Sequence, residues 1–122
     1  MKETGMMTAE IATENSRGPD RFNRMQENAL EVSELLKTLA NPSRLLILCA
    51  LMREPLSVSQ IAEHVPNISQ SALSQNLARM RSVGILRSEK SGLSVIYSID
   101  DTRIFNVMGV LEMYYCGVKE EV

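Results

Sequence analysis

Two cysteines, Cys49 and Cys116, are the strongest nucleophiles in this 122-residue sequence, and they stand 67 residues apart. A thiolate attacks a sulfane sulfur or an oxidant, and a second thiol within reach resolves the product. Two cysteines are too few for a disulfide framework, so in a reducing compartment they are free thiols or a regulated pair. Cys49 lies inside the apolar run Leu45–Met52, where a free cysteine is an ordinary small core residue. Cys116 follows two tyrosines near the end of the chain, which makes it the more accessible thiol and the expected attacker. His64 is the single histidine. With no nucleophile–base pair, metal cluster or phosphate-binding loop beside it, the sequence reads as a non-enzyme.

A second set of residues suits recognition rather than reaction. From Ser69 to Arg81 the chain has two faces. Leu73, Leu77 and Met80 recur at four and three residues and must pack inward. Gln70, Ser71, Ser74 and Gln75 point elsewhere and carry no fixed charge. A solvated helix face normally favours Glu and Lys. Short or flexible polar groups suit base edges in a DNA major groove, where Gln pairs with adenine and Ser with either partner. Ser69 and Asn76 flank this face, and Arg79, Arg81, Arg87 and Lys90 are placed to hold phosphates on either side.

The net charge of −2 argues by itself against a nucleic-acid partner, but its distribution does not. Residues 69–99 carry Arg79, Arg81, Arg87 and Lys90 against Glu89, a local net of +3. Residues 1–36 (four basic, seven acidic) and 100–122 (two basic, five acidic) are each net −3. A local basic block is what phosphate contact needs. No apolar run approaches the roughly 18 residues of a membrane span and no signal-peptide pattern opens the chain, so no membrane partner and a cytoplasmic location are expected.

The elements that position these residues follow from caps and periodicity. Residues 1–20 show no sustained pattern and read as a flexible tail before a single domain over 21–118. Phe22–Leu39 is helical, with Leu30, Leu35, Leu36 and Leu39 on one side. Asn41-Pro42 restarts the chain as cap and first helical position, opening a buried helix to Met52. Ser57 and Gln60 form a capping-box pattern for a short helix to Val65. Pro66-Asn67 turns the chain, Ser69 caps the helix Gln70–Val83, and Gly84 stops it. Ile85–Ser91 and Leu93–Ile99 form a β-hairpin about Ser91-Gly92. Asp100 or Asp101 caps a last helix to Cys116, with Ile104, Val107, Met108, Leu111 and Tyr115 as its apolar stripe. The expected class is mostly α with a small β-hairpin, in the order α-α-α-α-β-β-α, a winged helix-turn-helix.

Over Leu35–Ile99 the sequence resembles the ArsR/SmtB family of winged-helix repressors. The matching pieces are LLKTLANPSRLLIL, SVSQIAEHV, SQSALSQNLARMRSVGIL and the hairpin ending VIYSI. The resemblance implies a homodimer built on the first and last helices, a double-stranded DNA operator as partner, one recognition helix per subunit in a major groove, and a wing beside it. Asn76 departs from the pattern, since relatives often carry His there, and the turn Val65–Ile68 is slightly longer than usual.

The family's metal-sensing positions are not filled by ligands. Ser57 and Ser59 stand where a Cys-x-Cys pair binds thiophilic metals, and a serine hydroxyl is a poor ligand for them. Asp101 survives from a second site, but Arg103, Tyr114 and Gly117 occupy its partner positions. No metal and no cofactor are therefore expected. The motifs Leu48-Cys49 and Tyr115-Cys116 instead resemble the BigR-like subgroup, which responds to persulfides and related oxidants. That resemblance implies that Cys49 and Cys116 form a disulfide or polysulfide bridge that weakens DNA binding, with reactive sulfur or an oxidant as inducer. Two alternatives stay open: a regulator of the same fold without thiol sensing, and a winged helix used only as a protein-interaction module.

Overall fold

A computed structural model describes residues 19–117. The elements run α1 (Pro19–Leu39), α2 (Pro42–Leu51), β1 (Leu56–Ser57), α3 (Val58–His64), α4 (Gln70–Ser82), β2 (Leu86–Ser91), β3 (Ser94–Ile99) and α5 (Thr102–Tyr115). The chain divides into two compact units between Thr38 and Leu39. In the first, α1 starts at Pro19, a residue suited to a first helical turn, with Asp20 beside it to complement the helix dipole. The last two residues of the expected tail are thus helical. Residues 1–18 of that tail, and Val118 at the end of the expected domain, lie outside the described residues. Phe22, Met25, Leu30 and Leu36 of α1 are exposed.

In the second unit the caps form where the side chains dictate. Asn41 Oδ1 accepts from the Arg44 N–H at 3.0 Å, with Pro42 at the first helical position of α2. Asn41→Ala should cost about 1 kcal/mol of stability, measured by urea unfolding. Ser57 and Gln60 make the reciprocal capping box of α3, at 3.3 and 2.9 Å. Asn67 takes the turn before α4 at φ 60, a left-handed conformation that asparagine tolerates. Gly84 sits at φ 87 directly after the α4 cap. The bonds Ile85 N–H to Met80 O (2.9 Å) and Gly84 N–H to Arg81 O (3.1 Å) complete a Schellman ending.

The hairpin is part of a three-stranded antiparallel sheet of order β1-β3-β2. Strand β1 was not expected. It is two residues long, and it exists because Leu56 and Ser57 pair with Tyr97 and Ile96, some forty residues away. The turn between β2 and β3 is Gly92-Leu93, with Gly92 at φ 65 as tight hairpin turns require.

The core joins Ile47, Leu48 and Leu51 of α2 to Ile61 of α3, Leu73, Leu77 and Met80 of α4, Leu86 of β2, and Ile104 and Met108 of α5. Helix α2 packs on α3, β3 and α5, and α3 packs on α4. The apolar sequence of α2 does not make it buried all round, because Leu46 remains 43% exposed. The inward stripe of α5 likewise fades along its length. Ile104 and Met108 are buried, Val107 and Leu111 half-buried, and Tyr115 is 84% exposed.

Candidate nucleic-acid interface and thiol pair

The α3–turn–α4 unit presents the polar face that the sequence predicts. Leu73, Leu77 and Met80 are almost wholly buried, which fixes the rotation of α4 and turns Gln70, Ser71, Ser74 and Gln75 outward. Ser69 is committed to the cap: its Oγ accepts from the Ala72 N–H at 3.0 Å and lies 3.4 Å from Ser71 Oγ. Asn76 is only half exposed, and its Oδ1 accepts from Arg44 Nε at 3.1 Å. This bond ties the first turn of α2 to the middle of α4, so Asn76 is engaged as a strut between the two helices. Sequence reasoning did not single out Arg44.

Among the basic residues, Arg79 and Arg81 are exposed in the last turns of α4. Arg87 sits at the base of the wing, where its guanidinium donates to Asp100 Oδ1 at 3.2 Å. Both groups are about half exposed, so this ion pair is weak and can exchange for a phosphate. Lys90 lies near the wing tip, opposite Val95, and is exposed. Lys90→Ala should weaken binding to an operator and to a scrambled duplex about equally, and lower the slope of log affinity against log salt by roughly 1. Anisotropy titrations at several salt concentrations read both.

The two serines at the family's first metal position face each other, Oγ to Oγ at 3.3 Å, and Ser57 is occupied as a helix cap. Asp101 caps α5 by accepting from the Arg103 N–H at 2.9 Å, and the Arg103 side chain closes on the same carboxylate at 2.8 and 3.1 Å. The Arg103 hydrogen bond holds the Asp101 carboxyl below its ordinary pKa. No three His, Cys, Asp or Glu side chains are grouped to hold a metal ion among the described residues. None of the described helices is long and apolar enough to cross a membrane.

Cys49 and Cys116 are both free thiols, on the packed pair α2 and α5. Cys49 is half-buried, and Cys116 is exposed at the cap of α5. Glu112 lies one helical turn before Cys116 on α5. The Cys49 thiol donates to Glu112 Oε2 at 3.3 Å, and the Cys116 N–H donates to the Glu112 carbonyl at 2.8 Å. Burial, the Glu112 hydrogen bond and charge, and the nearby Cys116 push the Cys49 thiol up to about 11, while Arg53 opposes them. A cavity of about 190 Å³ adjoins Cys49, with Arg53, Glu54 and His64 on its wall. Sequence reasoning paired the two thiols but missed Glu112. The available signal was a carboxylate within the apolar stretch Val110–Tyr115, four residues before a cysteine.

Comparison with known proteins places this geometry in context. The family model described as "Bacterial regulatory protein, arsR family" matches residues 41–88, which span α2 to the start of the wing. The transcriptional activator HlyU of Vibrio cholerae is 36% identical over 102 residues, covering 84% of this chain and 94% of that protein. The structure of reduced HlyU from the same organism superposes with a TM-score of 0.72, covering 78% of this chain and 99% of that one. The structure of the transcriptional repressor BigR from Xylella fastidiosa, 29% identical, also gives 0.72, over 80% of this chain and 98% of that one.

Proposed function

The chain belongs to the ArsR family of bacterial regulatory proteins, and from that premise we propose that it acts in the cytoplasm as a homodimeric repressor released from its operator by a thiol switch. It is a winged-helix transcriptional regulator and not an enzyme. In the proposed complex Gln70, Ser71, Ser74 and Gln75 read base edges, while Arg79, Arg81, Arg87 and Lys90 hold the backbone. Ser69 and Asn76 set the reading helix by its cap and by the Arg44 strut.

Dimerisation through the first and last helices is supported by what each exposes on its own. Helix α5 shows Phe105, Val110, Met113 and Tyr114 to solvent, and α1 shows Phe22, Met25, Leu30 and Leu36. Apolar side chains so grouped mark an interaction surface. Gly109 lies between Phe105 and Met113 along α5 with open space around it, so a second helix can approach closely there.

The observation that carries the switch is the placement of Cys49 and Cys116 on packed helices, with the Cys49 thiol bonded to Glu112 one turn before Cys116. The bridge needs Cα atoms within about 7 Å, a limit that a polysulfide relaxes. Reactive sulfur fits as inducer because a persulfide delivers sulfane sulfur to one thiol and the other resolves it. Intact mass spectrometry after treatment with a persulfide donor tests the chemistry. The expected product is a monomer-mass species that has lost two hydrogens, with or without added sulfur. A chain whose mass is unchanged, or that forms only intermolecular disulfides, would overturn it.

A further inference from the structure

We propose that Glu112 orders the two thiols: its carboxylate holds Cys49 as the resting, protonated partner, so that sulfane sulfur enters at Cys116 and Cys49 closes the bridge. This rests on the thiol-switch reading above. The groups lie on α2, the turn after it and the end of α5. On the α2 side, Cys49 and Arg53 are four residues apart; on α5, Glu112 and Cys116 are four apart. The Cys49 thiol points its proton at Glu112 Oε2, 3.3 Å away.

Access alone does not explain why Cys49 should wait. The cavity of about 190 Å³ opens beside it, and Arg53 on its wall would attract an anionic persulfide. What opposes reaction there is first the partial burial of the sulfur, and then the cost of forming a second negative charge against the Glu112 carboxylate that the thiol already donates to. The groups facing Cys49 are Glu112 and Cys116 from α5, Arg53 from the turn after α2, and Glu54 and His64 across the cavity. Among the described residues, Arg53 is the cation that favours the thiolate, and burial and Glu112 outweigh it. Cys116 is exposed at the helix end, open to a reagent from solvent.

The sequence of steps balances. The Cys116 thiolate attacks the outer sulfur of a persulfide R–S–SH, and R–S⁻ leaves, so Cys116 becomes a persulfide. The Cys49 sulfur then attacks the inner sulfur of that group. The Cys49 proton passes to the departing hydrosulfide, which leaves as hydrogen sulfide. Two thiols have lost two electrons, and the sulfane sulfur has been reduced to sulfide. Because the first step moves the reacting sulfur onto the neighbour of Glu112, Cys49 attacks within the molecule and needs only a small thiolate fraction.

Two readouts test this on Glu112→Gln and Glu112→Asp. The first needs no persulfide: the pH profile of Cys49 alkylation by iodoacetamide in a Cys116→Ser chain, with thermal melting to show that each variant is folded. Glu112→Gln should move the inflection to lower pH and speed alkylation at pH 8.5 about fivefold or more, whereas Glu112→Asp keeps the charge and should stay closer to the parent. The second is peptide mapping after brief exposure of the two-cysteine chain to a persulfide donor. Sulfur should appear first on Cys116 in the parent and on both cysteines in Glu112→Gln. An unmoved inflection, or first sulfur on Cys49 in the parent, overturns the proposal. If the inflection moves but neither cysteine takes up sulfur, the thiol-switch reading fails and the ordering with it, leaving only the carboxylate's hold on Cys49.

Discussion

Cys49→Ser and Cys116→Ser should each stay on the operator under a persulfide donor that lowers the affinity of the parent about tenfold or more, a coupling of roughly 1.4 kcal/mol or above. The expectation follows from what a bridge would tie together. Helix α2, which packs against α3, β3 and α5, carries the half-buried Cys49, and Cys116 caps α5. Drawing the two sulfurs from free thiols into a covalent bridge would shift the end of α5 against α2. In the proposed dimer that end belongs to the subunit interface, so the shift changes the separation of the two α4 helices. Two reading helices must match half-sites about 34 Å apart, and a misfit forfeits the contacts of one of them. Removing either thiol removes the bridge and leaves the reduced geometry. Serine is nearly isosteric with cysteine, so the variants should bind like the reduced parent. If both variants release as the parent does, the cysteines are packing residues and sensing lies elsewhere.

Gln75→Ala and Ser71→Ala should erase discrimination rather than binding as such. A good bidentate side-chain contact to a base is worth about 1–3 kcal/mol, so Gln75→Ala should weaken operator affinity roughly 5- to 150-fold and change affinity for a scrambled duplex little. Ser71 makes at most one such bond, and its loss should lie at the lower end. Both side chains are exposed on α4 opposite Leu73, Leu77 and Met80, so truncation leaves the core intact. Asn76→Ala gives a contrasting control. It deletes the acceptor for Arg44 Nε, so its effect should reach operator and scrambled duplex together through the set of the helix. If Gln75→Ala and Ser71→Ala bind as the parent does, α4 is not the reading element.

Much of this was legible because it is local. Asn41, Ser57, Ser69 and Asp101 announce four helix starts, and in each case the side chain accepts from a backbone N–H two or three residues on. Gly84 and Gly92 mark an ending and a turn by the left-handed conformations they adopt. What escaped is non-local. Strand β1 exists only through pairing with β3. The Arg44–Asn76 bond spans 32 residues and the Cys49–Glu112 bond spans 63. The wing illustrates both cases: its alternation is visible in Val95, Tyr97 and Ile99, but the engagement of Arg87 with Asp100 is not. Tyr115 shows the limit of periodicity, which gives the phase of a helix but not where its neighbours stop covering it.

The most direct test is an anisotropy titration of a fragment of the protein's own promoter, with a scrambled duplex beside it, in three states: reduced, donor-treated, and donor-treated then reduced again. The account predicts salt-dependent binding that prefers the promoter in the reduced state, a loss of about tenfold or more after the donor, and recovery with reductant. Equal affinity in all three states, or no preference for the promoter in any, would contradict it.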